Sequence, residues 1–397
     1  MSYQLNIVGG GMVGASLALA LQDCARQSGW TIRLIEAHPP TKGGWQPSYD
    51  NRSTALSHGS RRLFERLGIW SELARRAEPI RQIHVSDRGH PGAARMHAEA
   101  EGVPALGYIV ENAWLGEVLI GNLDQQAIEW RAPARVAHAR PQSGGYQLDL
   151  QVADGVRQLD CDLLVIADGG RSGLLDQLGI NRKVNPYQQV AVIANVTTAN
   201  GHAGVAYERF TETGPLALLP LSGQRSALIW TLAVDVADEV ASLPDEAFLE
   251  RLQTAFGFRM GALIKVGERA SYPLNLIEAE EQVRSHLVVL GNAAHSLHPI
   301  AGQGFNLSLR DAMALADQLM QAVREGQHPG SLAVLQAYLD GQRSDQMGTV
   351  AFSHYLTQLF SNRNPALVAG RNAGLLALDL LPPLKTLVAR QGMGLRG

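Results

Sequence analysis

The sequence predicts an α/β fold: a mostly parallel sheet flanked by helices, with a second, mostly antiparallel sheet inserted into the chain. Three observations carry this expectation. The chain opens with a strand, a glycine turn, a helix and a second strand. Regular alternation of strands and helices then stops, and strand-rich stretches take over. Two later apolar strands, far apart in sequence, each run into glycine, as strands do on reaching the ligand crevice of an open α/β sheet. A length of 397 residues accommodates two domains, and an apolar fraction of 46% is ordinary for a globular chain.

Leu5 to Val8 reads as a short buried strand, followed by Gly9-Gly10-Gly11-Met12-Val13-Gly14, a GxGxxG turn. An alanine-rich helix from Ala15 to about Arg26 comes next, then a strand from Thr31 to Ile35 that ends in Glu36. Together these five parts are the context an adenine dinucleotide site requires. Gly9 permits the tight turn, Gly11 admits a pyrophosphate close to the backbone, and Gly14 brings the helix against the sheet. The helix N-terminus offers its amides to the phosphates. Glu36 is placed to accept hydrogen bonds from a ribose 2′-OH, and its charge disfavours a 2′-phosphate there.

The turn by itself does not choose between FAD and NAD. An NAD-linked dehydrogenase would continue to alternate until its six-stranded sheet was complete. Here residues Thr41 to Asn51 are polar and turn-rich, and Arg135 to Leu159 is strand-rich, with turns at Ser143-Gly144-Gly145 and Asp154-Gly155. That interruption suggests FAD stretched across the chain. The first returning segment, Asp160 to Ser172, is an apolar strand ending in Ala167-Asp168-Gly169. Asp168 either faces the cofactor or caps a helix beginning near Ser172. The second runs from Leu287 through Gly291-Asn292 to His295, His298, Pro299 and Gly302-Gln303-Gly304-Phe305-Asn306, then into a long helix ending near Val323. Gly302 and Gly304 allow close approach to a ligand, and the amides that open the helix suit the negative charge of a reduced flavin.

Other chemistries are disfavoured. The two cysteines, Cys24 and Cys161, lack CxxC spacing, so neither a disulfide framework nor a cysteine zinc site is expected. His295 and His298 are too poorly spaced for a metal site, and His295 reads as a residue that satisfies backbone groups. A net charge of -3 gives no drive toward nucleic acid. The opening residues do not form a signal peptide, and no apolar run is long enough to span a bilayer, so a cytoplasmic location is expected.

GGGMVG at Gly9 to Gly14, DLLVIADGGRSGLLDQLG at Asp162 to Gly179 and GNAAHSLHPIAGQGFNLSLRD at Gly291 to Asp311 resemble, in order, the motifs of the flavoprotein aromatic hydroxylases that include para-hydroxybenzoate hydroxylase. Most of the chain is covered. That resemblance implies a glutathione-reductase-type, Rossmann-like FAD domain carrying an inserted, mostly antiparallel substrate-domain sheet. It implies a discontinuous FAD-binding domain at 1–75, 100–180 and 285–350, a substrate domain at 76–99 and 181–284, and a C-terminal helical segment at 351–397. It also implies a nicotinamide donor, NADH or NADPH, and dioxygen as oxidant. One departure is Gly291-Asn292 in place of the family's usual Gly-Asp; asparagine keeps an acceptor, adds a donor and loses the charge.

Asp50-Asn51-Arg52-Ser53-Thr54-Ala55-Leu56 resembles the DxRxxAL segment of the ubiquinone-biosynthesis branch. This implies a place for Arg52 near the flavin, against the alternative that it anchors its loop. Gly107 to Asn112 is similar to the segment before the helix that backs the cofactor, although Ala113 stands where relatives often have arginine. Ala206-Tyr207-Glu208-Arg209-Phe210 and Thr213 to Pro220 look like the branch's substrate-domain signature, with Pro220 at the flavin edge. Asn372 to Lys385 resembles the C-terminal segment of the branch's 2-polyprenyl-6-methoxyphenol hydroxylases. The implied roles follow. Gly9, Gly11, Gly14 and Glu36 hold the ADP moiety. Arg52, Asn112, Asp168, Asn292, Gly302, Gly304, Phe305 and Asn306 serve the rest of FAD. Arg52, Pro220, His298 and Pro299 border the reacting ring.

A prenylated phenol is a bilayer compound, so contact with the inner membrane face and with other quinone-biosynthesis enzymes is implied, and a homodimer is a further expectation. From Ser361 onward, five basic residues (Arg363, Arg371, Lys385, Arg390 and Arg396) stand against one acid, Asp379. These form a lipid or partner surface if they are free, and a solvated rim if the leucines among them pack on the protein.

Overall fold

The computed structural model describes residues 2–38, 52–362 and 364–395. The turn-rich stretch from Thr41 to Asn51, together with Arg363 and Arg396, lies outside them. Six strands form the first sheet, in the order Val283–Arg284, Leu287–Val289, Leu163–Ile166, Gln4–Val8, Thr31–Ile35 and Ile128–Arg131. All neighbours are parallel except the outermost hairpin.

Strand alternation divides this sheet's side chains between two cores. Leu5, Ile7, Ile32, Leu34, Leu163 and Val165 face helices Met12–Ser28 and Gln303–Arg324. Val8, Ile35, Leu164 and Ile166 face an antiparallel meander, Arg135–Gln142, Gly145–Val152 and Gly155–Cys161. The meander turns fall at Ser143-Gly144, as the sequence predicts, and at Ala153-Asp154, one residue before the expected Asp154-Gly155. Gly144 and Gly155 both take positive φ there, a conformation that glycine adopts without steric cost.

The inserted sheet has nine strands and is mostly antiparallel. Its strands come from Gln82–Asp87, Ala93–His97 and six segments between Arg182 and Ala279, with His295–Ser296 added at one edge. Val283–Arg284, by contrast, joins the first sheet. One face of the inserted sheet packs Val192, Leu216, Leu218, Leu228 and Trp230 on helix Asp245–Phe256 through Phe248 and Leu252. The opposite face presents Ala206, Ala217, Leu219 and Ile229 toward the first sheet. A small third sheet consists of Ser53–Ser57, Gly107–Glu111 and Glu78–Ile80. Helices Leu332–Phe360, Pro365–Leu380 and Pro382–Gly392 complete the chain.

Candidate active site

A cavity of about 770 Å³ is lined by residues of both large sheets. Gly9, Gly11, Glu36, Asp168, Asn292, His298, Pro299, Gly302, Gly304 and Phe305, all singled out in the sequence, contribute to its wall. Five others do not: Gly14, Arg52, Asn112, Pro220 and Asn306 lie outside the lining, each for a reason the local geometry supplies.

The dinucleotide turn is built by close backbone contact. Gly9 has φ +108°, and a Cβ there would lie 2.5 Å from the Ala167 carbonyl oxygen at the end of the neighbouring strand. A Cβ on Gly14 would lie 2.0 Å from the Gly9 carbonyl oxygen, so Gly14 acts by letting the helix cross the turn. Glu36 accepts hydrogen bonds from the backbone N–H groups of Gly10 and His38, both at 2.8 Å. Its carboxylate thus braces the turn while remaining in the cavity wall. Asp168 lines the cavity, and its oxygens accept from the N–H groups of Gly170 and Ser172 at 2.8 Å. It braces this turn rather than capping a helix, because the next helix begins only at Leu174, after Gly173, with no side-chain cap.

The second returning segment bends through two successive left-handed residues, Ala301 at φ +54° and Gly302 at φ +60°. Alanine is costly in that conformation, which the surrounding packing must impose. Glycine at 302 is required on a second ground, because a Cβ would lie 2.8 Å from that of Ala55. At Gly304 a Cβ would meet nothing within 4 Å, so it faces the open cavity at the first turn of a 22-residue helix. Asn306 has a different task from the one expected. Its side chain accepts from Ser57 N–H at 2.8 Å and Ser60 Oγ at 2.6 Å, and donates to the Ala55 and Gly302 carbonyls at 2.8 and 2.7 Å. All of its capacity is spent on pinning the strand at Ser53–Ser57 to the helix.

Asn112 is likewise a fastener. Its side chain accepts from Thr54 Oγ1 at 2.6 Å, and its backbone N–H donates to the Arg52 carbonyl at 2.8 Å. The Arg52 guanidinium lies 4.8 Å from the Tyr272 ring centroid, against the inserted sheet. Pro220 is excluded by parity. On its strand Pro215, Ala217 and Leu219 face the cavity, and an even-numbered residue faces away. His295 departs from its expected backbone role: its Nε2 pairs with Asp311 at 2.8 Å, both residues buried, and Gln346 also donates to Asp311 at 3.0 Å. Sequence spacing does not reveal this acid, because it lies 16 residues further on, within the long helix. His298 is fully buried in the cavity wall; its Nδ1 accepts from Ile300 N–H at 3.2 Å, and burial holds its pKa down at about 4.

Glu208 stands out in the sequence only as part of a strand motif. Among the described residues it is the one carboxylate that the inserted sheet contributes to the cavity wall, opposite Ala217 in register and beside Ala206 and Ile83. Loss of water pushes its pKa up from 4.5 to about 7, partly offset by the backbone N–H of Ala301. Periodicity offers a signal, since an acid on the apolar face of an alternating strand needs an explanation.

These residues fit FAD. The glycine turn, Glu36 and the Asp168 strand end form a dinucleotide cradle, and Gly304 with the first-turn amides of its helix offers a second backbone approach. Bound FAD supplies two-electron chemistry and oxygen activation; the chain supplies position, dryness and charge stabilisation. Among the described residues no cluster suited to a metal ion occurs.

Residues 2–344 match the family model described as an FAD binding domain. Over 389 residues the chain is 36% identical to ubiquinone hydroxylase UbiL of Rhodospirillum rubrum, covering 98% of this chain and 89% of that one. It is 29% identical to the 3-demethoxyubiquinol 3-hydroxylase of Escherichia coli, covering 99% and 98%. The fold superimposes on p-nitrophenol 4-monooxygenase PnpA of Pseudomonas putida with a TM-score of 0.82 at 18% identity, over 100% of this chain and 99% of that one. The chain therefore belongs to the FAD-binding monooxygenase family, among the relatives of the ubiquinone-biosynthesis hydroxylases.

Proposed function

We propose that this protein hydroxylates the aromatic ring of 2-polyprenyl-6-methoxyphenol in ubiquinone biosynthesis, using FAD, dioxygen and NADH or NADPH. The observation that carries the reading is the make-up of the cavity. It joins a dinucleotide turn to a nearly apolar sheet face, the lining an alkylated ring calls for. The ubiquinone names of the similar proteins support the pathway. A ring hydroxylase acting at another carbon is the second reading, favoured by the 3-hydroxylase name of the Escherichia coli relative. One or two pocket contacts suffice to shift a ring against a fixed oxygen donor.

Mass spectrometry of the product from FAD-loaded protein, NAD(P)H, ¹⁸O₂ and a short-chain 2-prenyl-6-methoxyphenol tests both. We expect one labelled oxygen on the ring, and the position of the new hydroxyl selects between the readings. Reduced prenyl chain without label would identify a prenyl reductase instead, and protein that binds the phenol but neither FAD nor donor would be an escort. Action at the inner membrane face, beside other enzymes of quinone synthesis and as a homodimer, belongs to the same proposal. It draws support from exposed leucines on the C-terminal helices, Leu380 and Leu387 above all. Among the described residues no helix is long and apolar enough to cross a membrane.

A further inference from the structure

Hydroxylation of a phenol is helped when the ring's O–H is ionised, because the oxygen's electron pair then enriches the carbon that is attacked. A group that takes this proton must face the ring, must sit among apolar neighbours, and must be able to hold a proton and release it. The cavity wall supplied by the inserted sheet meets these conditions at one residue. Glu208 projects from the strand Val205–Thr211 on the same face as Ala206, with Ala217 and Leu219 on the next strand. Tyr207 and the edge residue Ser296 apart, the other lining residues of this sheet are apolar.

From this placement, and resting on the phenol-hydroxylase reading above, we infer that Glu208 is the proton acceptor for the substrate's ring hydroxyl. The carboxylate faces the cavity beneath the loop that carries His298, Pro299 and Gly302. It meets the backbone N–H of Ala301 in its strained left-handed turn. In the step assigned to it, the phenolic O–H bond breaks, its electron pair stays on the ring oxygen, and the proton forms a new O–H bond on Glu208. One oxygen atom of dioxygen then bonds to the ring carbon and the other leaves as water, the two electrons coming from the nicotinamide donor. The attacked carbon gives up its hydrogen as a proton, which meets the demand of the departing oxygen, and the proton held on Glu208 returns to the ring oxygen. Glu208 is left as the carboxylate.

Neighbouring groups leave the task to Glu208. His298, on the facing loop, has its Nδ1 occupied by Ile300 N–H, and burial keeps the ring neutral. On the adjoining strand His84 is held down at about 4, and Asp87 is locked between Arg371 and Asn372. The strand Gly214–Pro220 carries no titratable side chain. On Glu208's own strand, burial pushes Tyr207 up, and Arg209 is a cation with no capacity to accept. Helix Leu332–Phe360 contributes His354, whose Nδ1 is engaged with the Tyr187 hydroxyl, and the exposed Tyr355.

The test compares wild type, Glu208→Gln and Glu208→Asp, all FAD-loaded and matched for thermal stability. The probes are 2-methoxy-6-prenylphenol and its methyl ether, which lacks the proton. Binding is read from the flavin spectrum. We expect Glu208→Gln to weaken the phenol about tenfold or more and to leave the ether unchanged. In turnover, donor oxidation should continue while ring product per donor falls at least about tenfold, hydrogen peroxide taking its place. Wild type should lose oxygen transfer as pH falls through about 7, Glu208→Asp should keep an acid limb, and Glu208→Gln should show none. Equal discrimination of phenol from ether in wild type and Glu208→Gln, or full coupling in Glu208→Gln, overturns the inference. Failure of the functional reading looks different: wild type itself would form no labelled ring product, and the binding comparison would still decide on Glu208.

Discussion

His298 and Glu208 line the same cavity and tie the protein's stability to pH in opposite directions. Burial keeps the His298 imidazole at about 4, below its usual 6.5. The unfolded chain therefore gains a proton that the folded chain refuses, and stability falls as pH drops from 6.5 toward 4. Unopposed, that loss approaches roughly 3 kcal/mol. His84, also near 4, acts in the same sense. Glu208 keeps its proton in the fold up to about 7, so its contribution is present below 4.5 and fades as pH rises through 7. Urea midpoints at pH 5, 6 and 7 should show that His298→Asn makes acidification less damaging and Glu208→Gln makes it more so. If the two variants shift the pH slope alike, the opposed-titration account is wrong. Sequence reading reaches His298 through its motif but leaves Glu208 without a role. Burial and partners are decided by segments further along the chain: Glu208 meets Ala301 in a turn, and His295 meets Asp311 on the long helix.

Elements explain which glycines serve the fold and which serve a ligand. At Gly14 an added methyl collides with the Gly9 carbonyl, so Gly14→Ala should push the helix Met12–Ser28 off the sheet. Protein purified with a small fraction of the wild-type FAD, by absorbance ratio, and with a lowered melting temperature is the expected result. Gly304 is the converse. A methyl there meets no protein atom, and alanine is the better helix former, so apo stability should hold or rise by up to about 0.5 kcal/mol. FAD affinity, by contrast, should drop by about tenfold or more, since the methyl enters the space of the cofactor. Titration of the two apo variants with FAD, alongside their melting curves, separates the effects; unchanged affinity in Gly304→Ala would remove the helix start from the cofactor site. The N-terminal strand–turn–helix unit is legible because its determinants lie within one short stretch. Pro220 is not, because whether a strand residue faces the cavity depends on register with Arg225–Ala233, which nothing local to Pro220 encodes.

At the scale of the whole molecule, the C-terminal helices are fastened to the inserted sheet by buried charge. Asp87 accepts from the Arg371 guanidinium at 2.9 and 3.1 Å and from Asn372 at 2.7 Å; Asp87 is 1% and Arg371 4% exposed. The carbonyl of the Asn372 side chain accepts from Gly92 N–H at 2.9 Å, on the turn between strands Gln82–Asp87 and Ala93–His97. Asp379 takes hydrogen bonds from the backbone and side chain of Arg95, and Lys385 closes on Asp379. The run of positive charge that marks this segment in the sequence is therefore partly internal: Arg371 and Lys385 have acids as partners, while Arg390 is exposed. Composition counts these charges but does not show that the partner of Arg371 lies 284 residues earlier. Truncating Asp87 leaves Arg371 buried and uncompensated, which costs about 3–5 kcal/mol and should release the helices that follow Asn364. Limited proteolysis of Asp87→Ala should cut near Ser361, and Asp87→Ala combined with Arg371→Leu should recover part of the lost stability, because the stranded charge is gone. If instead the single variant resists protease as wild type does, the helices are held by their apolar contacts, Leu375 and Phe360 against Phe210 among them, and the ion pair only sets their register.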